Sequence, residues 1–295
     1  MKKNIRTLVN LFIKSFTHPF AKRNIFFTFY RIIRWQILSR IRPVLIESWV
    51  NDIKVICKKG DTGFTGNLYF GLHEYEDMIF MLHLLDKDDV FLDIGSNLGS
   101  YSLLAGGICK SKTFSLEPSP SSFNRMKKNI ELNNFENVTC MNIGAGNENG
   151  SFFMTDSKGP ENHLVTESDD AIKVEIKRID DIKFESNPTF IKIDTEGTEF
   201  EVIRGGLKVL DSPEMIGLLA EINGNNLRYN HKTNEMIQFL NNLGYHAYRY
   251  DYSNKELHKM NHIKTNGNTL FIKNYMKASQ KIKDYKPNQL WGKYI

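Results

Sequence analysis

The stretch that decides the fold, residues 90–105, reads VFLDIGSNLGSYSLLA. Its opening VFLDIG is a short apolar run that ends in glycine, which predicts a buried strand and a tight turn. Residues 97–107 then return to helical spacing. In parallel α/β sheets, a strand, a glycine turn and a helix in this order border the ligand-binding crevice at the carboxyl ends of the strands.

Strand and helix signals continue to alternate along the rest of the chain. Further strands are predicted at residues 113–118, 138–145, 189–194, 215–222, 245–250 and 268–273, with helices at 121–133, 200–210 and 235–243. This alternation implies a parallel sheet, and the missing helix between the last two strands favours an antiparallel edge pair. Residues 150–185 alternate polar and apolar side chains and predict an inserted hairpin. The glycine-rich stretch 60–71 lacks the ending of a phosphate-binding loop and is interpreted as a turn-rich lid or hairpin.

The net charge of +5 is unevenly distributed along the 295 residues. Residues 1–46 carry ten basic and no acidic side chains, whereas the remainder carries 29 basic and 34 acidic ones, a net charge of −5. Apolar residues recur at helical spacing on both sides of His18-Pro19, so we predict two basic amphipathic helices. The expected organisation is a helical extension (1–48), a main domain (49–273) and a C-terminal tail (274–295).

The cysteine and hydropathy patterns indicate a cytoplasmic protein. Cys57, Cys109 and Cys140 are odd in number and widely spaced, which argues against a disulfide framework or a zinc site. The sequence has no uninterrupted run of about 18 apolar residues, so no transmembrane helix is predicted. Residues 1–42 suit peripheral contact with the inner face of a membrane. The same apolar stripes also suit packing on the sheet or on a second subunit.

The loop after the first predicted strand indicates what the crevice binds. Gly95 and Gly99 flank three residues, and Asn97 stands where a dinucleotide-binding loop has the glycine that admits a pyrophosphate. Asp93, at the strand end and aimed at the crevice, repels phosphate and suits an ammonium group. Ser100 closes this segment, which opens the predicted helix, and the first N–H groups of a helix have no partner within it.

An acidic residue on the second predicted strand completes this pattern. Glu117 follows Gly95 by 22 residues, at the position where an acid accepts hydrogen bonds from both hydroxyls of a ribose. A ligand with an adenosine-like ribose, a cationic end and little need for a phosphate site matches S-adenosylmethionine. Asn142, in the third strand, and Glu74, before the helix that precedes the first strand, are further candidates for cofactor contact.

Three motifs in order resemble the FkbM family of S-adenosylmethionine-dependent methyltransferases. They are VFLDIGSNLGSYSLLA (90–105), SLEPSP (115–120) and IKIDTEGTEFEVIRGG (191–206), accompanied by GNLYFGLHEYEDM (66–78) and NHLV (162–165). Ser96 and Thr195 stand where alanine and valine are common. The resemblance implies the α/β class I methyltransferase fold, a Rossmann-like, seven-stranded and mostly parallel sheet with helices on both faces, here with an N-terminal helical extension. It also implies O-methylation of a hydroxyl, in many members on a glycan or a secondary metabolite.

Candidate catalytic groups follow the fourth predicted strand. Methyl transfer to an alcohol needs a base for the hydroxyl proton. Asp194 and Glu196 point the same way in an extended chain and Glu221 ends the fifth strand, so these carboxylates are expected either to act as the base or to hold a divalent cation such as Mg²⁺. His163, in the inserted hairpin, is another candidate base. The structural alternative is that Glu196 forms a turn and Glu199 caps the next helix.

The sequence thus predicts an O-methyltransferase, with a sugar of a glycan or glycolipid as the first candidate acceptor and a role in polysaccharide biosynthesis. A small secondary metabolite is the alternative acceptor. A non-catalytic membrane-surface protein that retains the fold is the alternative from another class. A nucleic-acid partner is not expected, because the body of the protein is acidic.

Overall fold

The computed structural model of the chain describes residues 2–155, 163–165, 171–222, 233–263, 267–286, 289–290 and 293–294. The chain forms two compact units, one of residues 1–79 with 287–295 and one of residues 80–286. The domain boundaries predicted after residues 48 and 273 stay a prediction. Among the described residues, no helix is both long and apolar enough to cross a membrane.

Helices and strands alternate along the described chain. The helices are α1 (Lys2–Thr17), α2 (Ile25–Ile41), α3 (Thr62–Phe70), α4 (Tyr75–Leu84), α5 (Ser100–Leu104), α6 (Pro120–Leu132), α7 (Glu199–Arg204), α8 (Leu207–Leu210), α9 (Thr233–Asn242) and α10 (Tyr275–Asp284). The strands are β1 (Leu45–Ser48), β2 (Lys54–Cys57), β3 (Val90–Ile94), β4 (Lys112–Leu116), β5 (Val138–Met141), β6 (Gly144–Ala145), β7 (Gly150–Thr155), β8 (Leu164–Val165), β9 (Ala171–Lys177), β10 (Phe190–Ile193), β11 (Gly217–Ile222), β12 (His246–Asp251), β13 (Glu256–Lys259), β14 (Gly267–Ile272), β15 (Gln289–Leu290) and β16 (Lys293–Tyr294).

A large mixed sheet organises the second unit, in the order β13-β12-β14-β11-β10-β3-β4-β5. The five strands from β11 to β5 are parallel, and β14 runs antiparallel to both β11 and β12. Every residue of β3 and β10 is buried, so both faces of the central sheet are covered. The predicted parallel sheet with an antiparallel edge is confirmed.

The predicted number of seven strands is wrong for this sheet, which contains eight strands in the part of the chain that the structure describes. The additional strand, β13, pairs antiparallel with β12 at the outer edge. It gave no apolar signal in the sequence because only Leu257 of its four residues is buried. An edge strand with three exposed polar side chains needs no apolar run to pair with its neighbour.

A smaller sheet, in the order β6-β9-β7-β8, contains the predicted insertion. Strands β7 and β9 pair antiparallel, which confirms the hairpin between residues 150 and 185. The third predicted strand (138–145) is in fact two strands, since β5 lies in the large sheet and β6 pairs with β9. Glycine permits this change of sheet, because a Cβ at Gly144 would lie 2.5 Å from the Ile176 side chain.

Most of the glycine-rich stretch 60–71 forms the helix α3 (Thr62–Phe70), so the predicted turn-rich or hairpin conformation is wrong, and a lid role stays a prediction. Burial overrides the low helix propensity of its glycines, because Phe64 and Phe70 are both buried. Gly66 is required by packing, since a Cβ there would lie 2.5 Å from the His73 ring. Asp61 precedes the helix, and its carboxylate accepts a hydrogen bond from the Lys58 N–H at 2.7 Å.

The basic N-terminal segment forms the two predicted helices, α1 and α2. Asn24 caps α2, because its side-chain oxygen accepts a hydrogen bond from the Phe27 N–H at 3.2 Å. The rings of Phe12 and Phe16 on α1 each meet the Phe29 ring on α2 edge to face, at centroid distances of 4.8 and 5.7 Å. Aromatic contacts therefore hold the two helices together.

Candidate active site

The candidate site lies where the strand order of the large sheet reverses. The chain runs from β3 outward to β4 and β5, and later returns to place β10 and β11 on the other side of β3. Gly95, directly after β3, has a φ of +78°, and a Cβ on it would lie 1.8 Å from the backbone oxygen of Asp194, directly after β10. Only glycine fits this approach, which brings together the loops that follow the two strands.

Glu117, the predicted acid, holds the predicted glycine turn that follows β3. The backbone N–H of Asn97, a residue with a φ of +50°, donates to one carboxylate oxygen of Glu117 at 2.8 Å, and the Ser119 N–H donates to the other at 2.9 Å. Gly99, with a φ of +84°, is the N-cap of α5, which begins at Ser100. A carboxylate offers about four acceptor sites, so holding the turn is compatible with binding ribose hydroxyls. The residues present therefore fit an adenosine ligand.

Asn142 and Glu74, the two further candidates for cofactor contact, belong to different units of the chain. The Asn142 side-chain amide donates to the backbone oxygens of Glu117 and Pro118, at 2.8 and 3.0 Å, and so holds the chain beyond β4. Glu74 belongs to the first unit, where its negative charge acts on the ammonium group of Lys14. The predicted contact of either residue with a cofactor stays a prediction.

Asp93 is enclosed in the structure, in contrast to its predicted aim at the crevice. Its side chain is 1% exposed, and one carboxylate oxygen accepts from the Ser102 hydroxyl at 2.6 Å. The other oxygen has no hydrogen-bond partner in the described chain. Burial raises the pKa of this carboxyl, and the nearby Lys192 ammonium opposes that rise. The expected contact with a ligand ammonium stays a prediction.

Lys192 is a site residue that the sequence analysis missed. It lies on β10 and is buried, and its ammonium is 2.7 Å from a carboxylate oxygen of Asp194 and 4.7 Å from the centre of the Tyr101 ring. A lysine inside the apolar run FIKI was the available signal, because a buried lysine is rare without a partner. Lys192 fixes the side chain of Asp194 and supplies positive charge beside Asp93.

Three carboxylates meet at the carboxyl ends of β10 and β11, as the sequence predicted. Asp194, Glu196 and Glu221 each place an oxygen within 4.8 Å of the others. Glu196 has a φ of +56°, an uncommon conformation for a residue with a side chain. Such a set of carboxylate oxygens can accept the proton of a hydroxyl, or together suit a hard divalent cation.

Glu199 explains how the turn that carries Glu196 is held. It is fully buried at the start of α7, and one carboxylate oxygen accepts from the backbone N–H groups of Thr195 and Gly197, each at 3.0 Å. Burial raises the pKa of Glu199, while these N–H donors oppose the rise. The turn at Glu196 and Gly197 that was the structural alternative is confirmed, but the expected cap is wrong, because Thr198 is the N-cap residue of α7 and Glu199 instead holds the turn that precedes the helix.

His163 lies in the smaller sheet. Its backbone N–H donates to the Thr155 hydroxyl at 3.2 Å, and its carbonyl oxygen accepts from the Thr155 N–H at 3.1 Å. These bonds position the backbone at the start of β8, and the catalytic role of the side chain stays a prediction. Its neighbour in the sequence, Asn162, lies outside the described residues.

The protein has the fold of a class I methyltransferase. Its strand order reverses at a glycine turn, and an acid holds that turn. A sequence profile of the methyltransferase FkbM domain matches residues 93–247, more than half of the chain. The chain belongs to this FkbM methyltransferase family.

Relatives of known name are similar over part of their length. Methyltransferase 1 of Beauveria bassiana is 27% identical over 147 residues, which cover 40% of this chain and 59% of the relative. Hexuronic acid methyltransferase AglP of Haloferax volcanii is 29% identical over 149 residues, which cover 48% of this chain and 60% of the relative. The crystal structure of methyltransferase FkbM from Methylobacillus flagellatus has a TM-score of 0.44 and 16% identity, with 82% of this chain and 59% of that chain covered. The chain thus spans about three fifths of these curated relatives.

Proposed function

We propose that the protein is an S-adenosylmethionine-dependent O-methyltransferase that acts on a sugar hydroxyl of a glycan or glycolipid. The observation that carries this proposal is the contact of the Gly95 turn with the backbone of Asp194. That contact joins the loop held by Glu117 to the loop that bears Asp194 and Glu196. A cofactor site and a set of proton acceptors are therefore neighbours.

The bound cofactor supplies a methyl group on a positively charged sulfur, and the residues of the chain hold the reactants and the proton. Glu117 accepts from the ribose hydroxyls while its bonds to Asn97 and Ser119 fix its orientation. When bound, the cofactor would supply its methyl group to the acceptor oxygen and would leave as S-adenosylhomocysteine. Asp194 or Glu196 takes the proton of the hydroxyl, a contribution that is typically about 10²–10⁴-fold in rate.

The name of one relative, a hexuronic acid methyltransferase, supports a sugar as the acceptor. Deletion of the gene followed by mass spectrometry of cell-surface glycans tests this choice. Loss of one methyl group from a sugar supports the proposal. Unchanged glycans together with loss of a methylated small metabolite would contradict it and favour the alternative acceptor.

Purified protein separates the two roles of the carboxylates. If they act as the base, Glu196→Gln lowers methyl transfer and EDTA has no effect. If they hold a divalent cation, EDTA abolishes transfer and Mg²⁺ restores it. We also propose a cytoplasmic location, which the odd number and wide spacing of the three cysteines support.

A further inference from the structure

The outward face of α2 is more apolar than the face that packs inward. Phe26, Tyr30, Ile33, Ile37 and Ile41 recur at helical spacing and are all exposed, from 51% at Ile33 to 84% at Phe26. The buried face of the same helix includes the small polar residues Thr28 and Ser39 beside Ile32 and Trp35. Apolar side chains in contiguous exposed rows mark a surface that binds another partner.

Helix α1 carries a second exposed apolar row. Val9, Ile13 and Phe16 are also exposed at helical spacing, and the Phe16 ring contacts Phe29 of α2. These eight exposed residues, Val9, Ile13, Phe16, Phe26, Tyr30, Ile33, Ile37 and Ile41, are named here the α1/α2 face.

The segment that carries the α1/α2 face has exposed basic residues and no acidic ones. Lys22, Arg23, Arg40 and Arg42 are exposed, and the first 46 residues contain no acidic residue. The first acid, Glu47, is buried and forms an ion pair with Arg34. At the interface of an anionic bilayer, negatively charged headgroups lie above apolar acyl chains. Apolar side chains accompanied by cations are complementary to such an interface.

The length of the helix decides how such a surface is bound. α2 has 17 residues, so it extends about 25 Å, less than the roughly 30 Å of a bilayer core. We propose that the α1/α2 face is a docking surface for an anionic membrane, in which the helices lie within the interface plane and do not span it. This proposal is independent of the methyltransferase activity.

Vesicle co-sedimentation of the full chain tests the proposal. Phosphatidylserine-rich vesicles should bind the protein, pure phosphatidylcholine vesicles should bind it far less, and high salt should release it. Each exposed cation near the surface contributes about fivefold to partitioning, so Arg40→Gln/Arg42→Gln should weaken binding about 20–30-fold. The triple variant Phe26→Ser/Ile37→Ser/Ile41→Ser should weaken it at least about a hundredfold.

A matched control separates this face from general surface hydrophobicity. Met276 on α10 is 76% exposed, and Met276→Ser should leave vesicle binding unchanged. Retained cofactor binding by the triple variant shows that it is folded and that the catalytic proposal is unaffected. Wild-type protein that stays in the supernatant with anionic vesicles would overturn the proposal, as would a triple variant that binds like the wild type. Self-association in lipid-free buffer that the triple variant abolishes, without vesicle binding, would assign the face to a second copy of this chain instead.

Discussion

The close approach of Gly95 to the Asp194 carbonyl predicts a large effect of the smallest substitution, Gly95→Ala. A Cβ would lie 1.8 Å from that oxygen, whereas ordinary contacts begin near 3.4 Å, so the loops after β3 and β10 must separate. The positive φ adds about 1–2 kcal/mol of backbone strain, and overpacking against a fixed backbone adds about 1–3 kcal/mol. The expected loss in the free energy of unfolding is therefore about 2–5 kcal/mol, with weaker cofactor binding.

Gly244 offers a matched control for the backbone strain that a side chain causes at positive φ. Its φ of +86° is close to the +78° of Gly95, but a Cβ there would have no heavy atom within 4 Å. Gly244→Ala should therefore lose only about 1–2 kcal/mol and keep cofactor affinity. The assay is thermal unfolding of both variants beside titration with S-adenosylmethionine, and the Gly95 variant should melt several degrees below the control. Equal melting temperatures and equal affinities of the two variants would refute the packing of the turn against Asp194.

Three further predictions concern the base and two buried titratable groups. Asp194→Asn should lower the methyl-transfer rate about 10²-fold or more while cofactor affinity, measured by calorimetry, changes little; an unchanged rate would leave Glu196 as the base. Burial lowers the pKa of His18 to about 4. The free energy of unfolding should therefore decrease by up to about 3 kcal/mol as pH falls from 6.5 to 4, and His18→Gln should reduce this pH dependence in thermal melts. Burial raises the pKa of Asp93, so the stability that its neutral form contributes is lost as pH rises above about 4, the opposite of His18. Asp93→Asn should therefore increase the free energy of unfolding by about 1–3 kcal/mol relative to the wild type between pH 4 and 7. A variant that is less stable than the wild type in that window would contradict the assignment.

The sequence was most informative where one residue type is required. Gly95 and Glu117 were predicted from their spacing, because a turn without room for a Cβ and an acid on the next strand leave a local signature. Asp194, Glu196 and Glu221 were expected to meet, because strand ends of a parallel sheet converge at one edge. These predictions follow from motif spacing and strand direction.

The sequence was least informative where tertiary contacts decide. The helix α3 contains glycines that predict a turn, but burial of its aromatic side chains stabilises it. The orientation of Asp93 depends on Ser102, which lies nine positions later on another element. Lys192 reaches Asp194 and Tyr101 through space, and a single charge in an apolar strand does not say which partners it has.

Calorimetric titration of S-adenosylmethionine into the wild type and into Glu117→Gln tests the central claim most directly. The wild type should bind at one site, and the variant should bind about 10–100-fold more weakly because a charged acceptor is lost. Glu131→Gln, at an exposed position on α6, should bind like the wild type. A folded wild-type protein that does not bind, or a Glu117 variant with undiminished affinity, would contradict the proposed cofactor site.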